Sequence, residues 1–510
     1  MGRLEDRLRA LGPAALNGIR RGIEKESLRV RRDGALAVTP HPAALGAALT
    51  HPSITTDFSE SQLELITGVS QTAEDCVADI TLIHQAVVRG IGEEMLWCAS
   101  MPCGLPADDA IPIGQYGKSN IGRAKSVYRM GLAWRYGRRM QAISGIHYNF
   151  SLPERGNDEY FALVRNFRRH GWLLFFLFGA SPAVCSSFVE GREHRLRELS
   201  RHTLYLPHAT TLRMGRLGYQ SDAQASIAAS CNSLEAYCSG IEEALMRSYP
   251  PYEEIGIKGP DGEYRQLATS LIQIENEFYG KIRPKRVIRS GERPLHALRE
   301  RGVEYVEVRL MDLDPFEPVG INAGTMRFLD VFLLHCLLTE SPADTPDELA
   351  AIGRNQEKVA ARGREPGLEL ERGSRTVALA EWGGQLLAEC EPIARALDDA
   401  HGGGLHREAL TAAAATLSEP DTTPSARVLE AMGREHSDSY TRFFVAQSLK
   451  HDKALRSLPF PAGVAAEFDR KARESLEEQN VVEAADTLPF EEWRKQYLSR
   501  ERLHPKGEKK

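Results

Sequence analysis

Short segments whose polar and apolar residues alternate recur through the first two-thirds of the 510-residue chain, and their polar positions are repeatedly acidic. In Ile23-Glu24-Lys25-Glu26-Ser27-Leu28-Arg29-Val30, an extended backbone puts Glu24 and Glu26 on one face, because strand side chains alternate with a period of two. One such pair reads most simply as a solvated strand edge with basic neighbours. The pattern returns, however. Asp57, Glu60 and Glu64 fall in 55–67, with Glu64 between Leu63 and Leu65. Gln273, Glu275, Glu277 and Tyr279 share a face if 271–279 is extended, and Glu307 and Arg309 share one in 303–310. Four strands that each turn a carboxylate to one side call for a sheet with a helix-covered apolar face and a wet face that gathers acids.

Alternation predicts strands at 22–30, 63–67, 143–151, 271–279 and 303–310, and apolar spacing of three and four predicts helices at 73–94, 158–178 and 233–246. Parallel sheets favour strands that are apolar throughout, so these two-faced strands predict a mixed or antiparallel sheet. Beyond Arg327 the pattern is helical, at 328–338, 346–362, 377–397, 408–417 and 464–482, with a breaking loop at 419–424. The expectation is an α+β chain, 1–510, forming one catalytic domain: sheet-rich over 1–326, mainly helical over 327–500, and a disordered tail at 501–510.

The formal net charge of -6 gives no reason to expect a nucleic-acid partner. The basic run 281–286 reads as a solvated loop or a phosphate-facing patch. No signal segment is visible, and the longest apolar run, 172–178, is far below the roughly 20 residues a membrane span requires. A cytoplasmic enzyme without membrane or obligate protein partner is expected. Its eight scattered cysteines, with no CxxC pair, are then expected to be reduced.

Mg²⁺ prefers oxygen ligands and shares its shell with phosphates and water, so converging carboxylates suit it. His147 and Asn149 share a face opposite Ile146, Tyr148 and Phe150. A lone histidine is more often structural, but on the acidic face a metal ligand is an equal reading. Arg309 could stabilise a transferring phosphoryl group or simply pair with Glu307. Arg213 could clamp a substrate carboxylate or be structural. No glycine-rich phosphate loop is present, since Pro112 stands where Gly117-Lys118-Ser119 would need a leading glycine. A nucleotide must therefore be held by metal ions, basic side chains and the sheet.

Together these stretches resemble the glutamate–cysteine ligases of the proteobacterial type, which begin glutathione biosynthesis. The resemblance is carried by GIEKESLRV (22–30), TTDFSESQLELITG (55–68), MQAISGIHYNFSLP (140–153), LFGASPAVCSSF (177–188), QIENEFYGKIRPKR (273–286) and GVEYVEVRLMDLDPF (302–316). It implies a glutamine-synthetase-like fold, in which a curved, largely antiparallel sheet forms a funnel covered by helices. The implied reaction joins L-glutamate through its γ-carboxylate to the amine of L-cysteine, with ATP as co-substrate and Mg²⁺, or Mn²⁺ in its place, as cofactor. By the same resemblance Glu24, Glu26, Asp57, Glu64, His147 and Glu307 match metal ligands, Arg309 the phosphoryl-facing arginine, and Arg213 a glutamate-binding arginine. Tyr128, Arg129, Gln141, Tyr219 and Tyr279 match residues lining the amino-acid pockets. Glutathione is implied as a feedback inhibitor. The stretch 153–160 is shorter than in some relatives, which bears on the funnel mouth.

Chemistry asks for two steps. A carboxylate is a poor electrophile, so its γ-oxygen first attacks the γ-phosphorus of ATP, and the amine then displaces phosphate from the acyl phosphate. No residue stands out in the sequence as the base for that amine. The competing readings are a ligase for glutamate and a different amine, a metal-dependent phosphohydrolase, and a non-catalytic binding protein.

Overall fold

Eleven residues of unbroken strand, Arg20–Val30 (β1), form the spine of the molecule. The structure, a computed structural model, describes residues 2–218, 222–227, 229–289 and 291–505. The remaining strands are β2 (Ile54–Thr56), β3 (Gln62–Ile66), β4 (Met95–Leu96), β5 (Ile146–Ser151), β6 (Ala183–Cys185), β7 (Arg197–Ser200), β8 (Thr203–Tyr205), β9 (Ile282–Lys285), β10 (Tyr305–Met311), β11 (Glu369–Arg372) and β12 (Arg375–Ala378). The main sheet runs β2-β3-β1-β5-β10-β9, with β4 paired to the end of β1. Every pairing in it is antiparallel. A three-stranded sheet (β6-β8-β7) and the hairpin β11-β12 complete the α+β fold.

The helices that matter below are α1 (Ala73–Gly90), α2 (Asn120–Tyr136), α3 (Asn157–His170), α4 (Trp172–Phe178), α5 (Ala323–Leu338) and α6 (Leu379–His401); all but α2 contribute to the core behind the main sheet. Thr72, Ser119 and Asn322 cap α1, α2 and α5, each accepting a hydrogen bond from a backbone N–H of the first turn. α5 is buried on nearly all sides, from Met326 to Leu338. It packs in one core with Ile23, Ile146, Tyr148, Phe150, Val306 and Val308 from the back of the sheet. The back face of β1 also carries basic side chains. Lys25 Nζ donates to Ser27 Oγ (2.7 Å) and His84 Nε2 (2.9 Å), while Arg21 pairs with Asp330 of α5.

Several expectations need correction. The alternation at 271–279 does not make a strand: Glu275–Glu277 is a single 3-10 turn, because Glu277 turns inward to meet Arg135. The helix predicted from 158 to 178 breaks at Gly171 into α3 and α4. Val377 belongs to a hairpin, and α6 starts only at Leu379. The tail expected to be disordered begins as a helical turn, Arg500–Leu503, with Leu503 fully buried, and 506–510 lie outside the described residues. Cys103 and Cys185 are disulfide-bonded rather than reduced, and the six other cysteines are free and buried. No helix among the described residues is long and apolar enough to cross a membrane.

Candidate active site

Strand register explains why the acids meet. Glu24 of β1 lies opposite His147 of β5, Glu26 opposite Glu64 of β3, and Glu307 of β10 opposite Asn149 of β5. Four neighbouring strands thus present Glu64, Glu24 with Glu26, His147 with Asn149, and Glu307 side by side. His147 Nδ1 is 3.2 Å from Glu24 Oε2 and 3.7 Å from Glu307 Oε1, and its Nε2 is 3.8 Å from Glu26 Oε1. Ligand atoms of Glu24, Glu64 and His147 lie within 4.8 Å of one another. Asp57, in the turn between β2 and β3, adds a further negative charge felt by both Glu26 and Glu64. Glu60 does not join them: it accepts backbone N–H groups from His41 and Gln115. Glu275 is tied to Arg293.

This face is drier than the wet face expected from the sequence: Glu24, Asp57 and Glu64 keep partial exposure, but Glu26, His147 and Glu307 do not. Glu26 and His147 are each 3% exposed and Glu307 is 1% exposed. Burial of like charges has a clear electrostatic consequence. Burial and then Asp57 push Glu26 up to about 8. Burial with Asp57, Glu24 and Glu26 holds Glu64 well above the usual carboxylate range. Glu307 goes the other way: burial alone would raise it, but Arg309, Lys285, His147 and Arg283 together hold it well below that range. For Glu24, burial and Glu307 press upward, yet the hydrogen bond to His147 and the charge of Lys285 keep it low. Burial and then Arg309 lower His147, against the hydrogen bond to Glu24 and the charge of Glu307, which raise it.

The arrangement fits divalent cations. Like charges crowd there, with Glu26 opposite Glu64, and buried Glu307 Oε2 and Asn149 Oδ1 have no hydrogen-bond partner.

Cations border the acids on the β10 side. Arg309 Nη1 donates to Glu307 Oε1 at 2.9 Å and lies 3.4 Å from His147 Nδ1. β9 adds Arg283, opposite Glu307 in register, and Lys285, whose Nζ is 3.6 Å from Glu307 Oε1. The basic run was read from the sequence as a solvated loop or a phosphate-facing patch, but not as a strand whose Arg283 and Lys285 lie beside Glu307 of the paired β10. Arg213 lies beneath Arg309, donating to its carbonyl at 3.0 Å, with Nη1 3.8 Å from Asp312 Oδ1. It is 1% exposed, and its guanidinium rests on Gly145, where a Cβ would collide with it. Gly145 in turn donates its N–H to Glu26 Oε2 at 2.7 Å.

The residues expected to line the amino-acid pockets form an adjoining wall. Arg129 of α2 donates to the Asp57 carbonyl and stacks over Tyr116 at 4.4 Å, with Tyr128 beside it at 5.9 Å. Gln141 Nε2 donates to the Tyr279 hydroxyl at 2.8 Å. Behind them Glu277 accepts from Arg135 and Tyr136, and Gln273 donates to the Tyr128 carbonyl. Tyr219 lies outside the described residues.

Comparison with known proteins adds an independent line. A profile described as glutamate–cysteine ligase matches residues 8–359, more than half of the chain. The chain is 46% identical to a glutamate–cysteine ligase of Alcanivorax borkumensis over 98% of its own length and 100% of that protein's. It is 49% identical to one of Pseudomonas entomophila, covering 92% of each chain. The crystal structure of a glutamate–cysteine ligase from Francisella tularensis in complex with AMP superposes with a TM-score of 0.90 at 35% identity, covering 94% of this chain and 97% of that one. A bifunctional glutathione synthetase from Pasteurella multocida superposes with a TM-score of 0.70 at 26% identity, covering 92% of this chain and 57% of the other.

Proposed function

The chain belongs to the glutamate–cysteine ligase family, and we propose that the acidic cluster on β1, β3, β5 and β10 is where ATP activates the γ-carboxylate of glutamate. The reaction is the ATP-dependent ligation of glutamate to cysteine, giving γ-glutamylcysteine. The observation that carries the site assignment is the convergence of Glu24, Glu26, Glu64, Glu307 and His147 on one sheet face beside Arg309, with Glu26, Glu307 and His147 buried.

A γ-carboxylate oxygen of glutamate attacks the γ-phosphorus of ATP, the bond to the β-phosphate oxygen breaks, and ADP leaves from a γ-glutamyl phosphate. The amine of cysteine then attacks the acyl carbon, the carbon–oxygen bond to phosphate breaks, and the proton lost by nitrogen leaves with solvent or phosphate. Glu24, Glu26, Asp57, Glu64, His147 and Glu307 would hold Mg²⁺, or Mn²⁺ in its place, which supplies positive charge to the triphosphate when bound. Arg309 sits where a guanidinium can take the equatorial oxygens of the transferring group. Arg283 and Lys285 extend that positive border along β9 toward the rest of the triphosphate. Arg213 is assigned to the glutamate carboxylate, and Tyr128, Arg129, Gln141 and Tyr279 to the amino-acid pockets, with Tyr219 joining them by family resemblance alone. A funnel closing over this face would keep the acyl phosphate from water. Glutathione, which contains the product dipeptide, would act as an inhibitor by entering the same pockets.

The test measures ADP release by the purified protein with ATP and Mg²⁺, omitting glutamate and cysteine in turn. Release should depend on glutamate and reach its full rate only with cysteine. Release indifferent to both amino acids would overturn the reading.

A further inference from the structure

Asp330 is the only acid in the largely apolar helix α5, and it is 1% exposed. Its carboxylate accepts from the Tyr148 hydroxyl at 2.7 Å and from Arg21 at 2.8 Å (Nη2) and 3.4 Å (Nε). Arg21 Nη1 also donates to the Gln71 carbonyl. Arg21 belongs to β1 and Tyr148 to β5, so one carboxylate ties two strands together from behind. The tie falls beside the site: Tyr148 is next to His147, Arg21 is three residues before Glu24, and the paired positions Gly22–Asn149, Ile23–Tyr148 and Glu24–His147 run through it.

A buried ion pair of this kind adds little stability over well-packed apolar residues, and its best-attested use is to fix registry. Registry matters here because β1 and β5 carry Glu24, Glu26 and His147 of the cluster. A slip of one residue between β1 and β5 would turn Glu24 and Glu26, or His147, from the front of the sheet to the back. A smaller shift would change the distances among His147, Glu24 and Glu307 that bring their ligand atoms together.

We propose that Arg21, Asp330 and Tyr148 form a register lock, a set of positioning residues that sets the affinity of the front-face cluster for its divalent cation without touching it. The proposal rests on reading that cluster as a metal site. Tyr148→Phe removes one hydroxyl and leaves the Arg21–Asp330 pair in place, so the variant should fold. Asp330→Asn is the stronger perturbation.

Mn²⁺ is titrated into each full-length variant and free ion is followed by electron paramagnetic resonance. Apparent Mn²⁺ affinity should weaken by about tenfold in Tyr148→Phe, as for other residues that orient ligands, and further in Asp330→Asn. In steady-state kinetics KM for the metal–ATP complex should rise while kcat is regained at excess Mn²⁺. Tyr440→Phe is the control: it removes an equally buried hydroxyl, bonded to the Met101 carbonyl at 2.7 Å, and should leave Mn²⁺ affinity unchanged. Binding that is lost in Glu24→Gln yet unchanged in Tyr148→Phe would overturn the lock alone. Wild-type binding untouched by Glu24→Gln would remove the metal reading, and the lock with it.

Discussion

Gly145 accommodates the Arg213 guanidinium only because it has no side chain, and its N–H holds Glu26 at the same time. Gly145→Ala should therefore displace Arg213 and Glu26 together, lowering kcat/KM for glutamate by about 10²-fold through misplacement of reacting groups. Steady-state kinetics beside an unfolding curve checks this; a cooperative variant with near-normal kcat/KM would show that Arg213 does not meet substrate. Glu26 carries a second prediction. Its folded value of about 8 exceeds the ordinary 4.5, so the folded, metal-free protein binds the extra proton. Its contribution to stability is then complete below about pH 4.5 and is lost as pH rises through about 8. A cation that takes the proton's place should expel protons at neutral pH and stabilise the protein more as pH rises toward 8. Calorimetry of Mg²⁺ binding in buffers of different ionisation heat should show proton release at pH 7. Heats independent of the buffer would contradict it.

At the scale of elements, the segment 271–279 teaches most. Its alternating Gln273, Glu275, Glu277 and Tyr279 look like one strand face, but the residues serve different partners: Glu277 meets Arg135 with both side chains fully buried, and Glu275 meets Arg293. Glu277→Ala would leave Arg135 charged and unpaired in the interior, at a cost of about 3–5 kcal/mol, measurable by urea unfolding. A loss below about 1 kcal/mol would mean that the acceptors Arg135 already has, Gln266 Oε1 and the Ala268 carbonyl, satisfy it without the carboxylate. Alternation in one sequence reports two environments and not which groups pair, so this loop was misread. β1, β3, β5 and β10 were legible because each is long or strictly two-faced. β9 was not: it has four residues and includes Pro284, which is tolerated because β9 is an edge strand. The hairpin β11-β12 was hidden within a stretch of helix-favouring composition. Residue types at the site were readable in the acids, His147 and Arg309, whereas Arg283 and Lys285 needed the register of an unrecognised strand.

On the whole-molecule scale, one apolar core joins Leu8 near the start, the back of the sheet, α5 and α6, and Leu503 near the end. Arg500 and Arg299 share Glu242, and Arg293 donates to the Tyr497 carbonyl, so the last helices are fastened to the sheet-bearing part. On this continuity among the described residues we propose a single catalytic domain whose helical third braces the sheet. The helices behind β1 and β5 hold strand positions, and the strands hold charge. The central claim is that this charge serves to make an acyl phosphate. Glutamate labelled with ¹⁸O in its γ-carboxylate tests it most directly, by mass spectrometry of the phosphate released during ligation to cysteine. One ¹⁸O should pass from each labelled carboxylate into phosphate, and Glu307→Ala and Arg309→Ala should abolish the transfer while unfolding cooperatively. Phosphate free of ¹⁸O, formed alongside γ-glutamylcysteine, would contradict it.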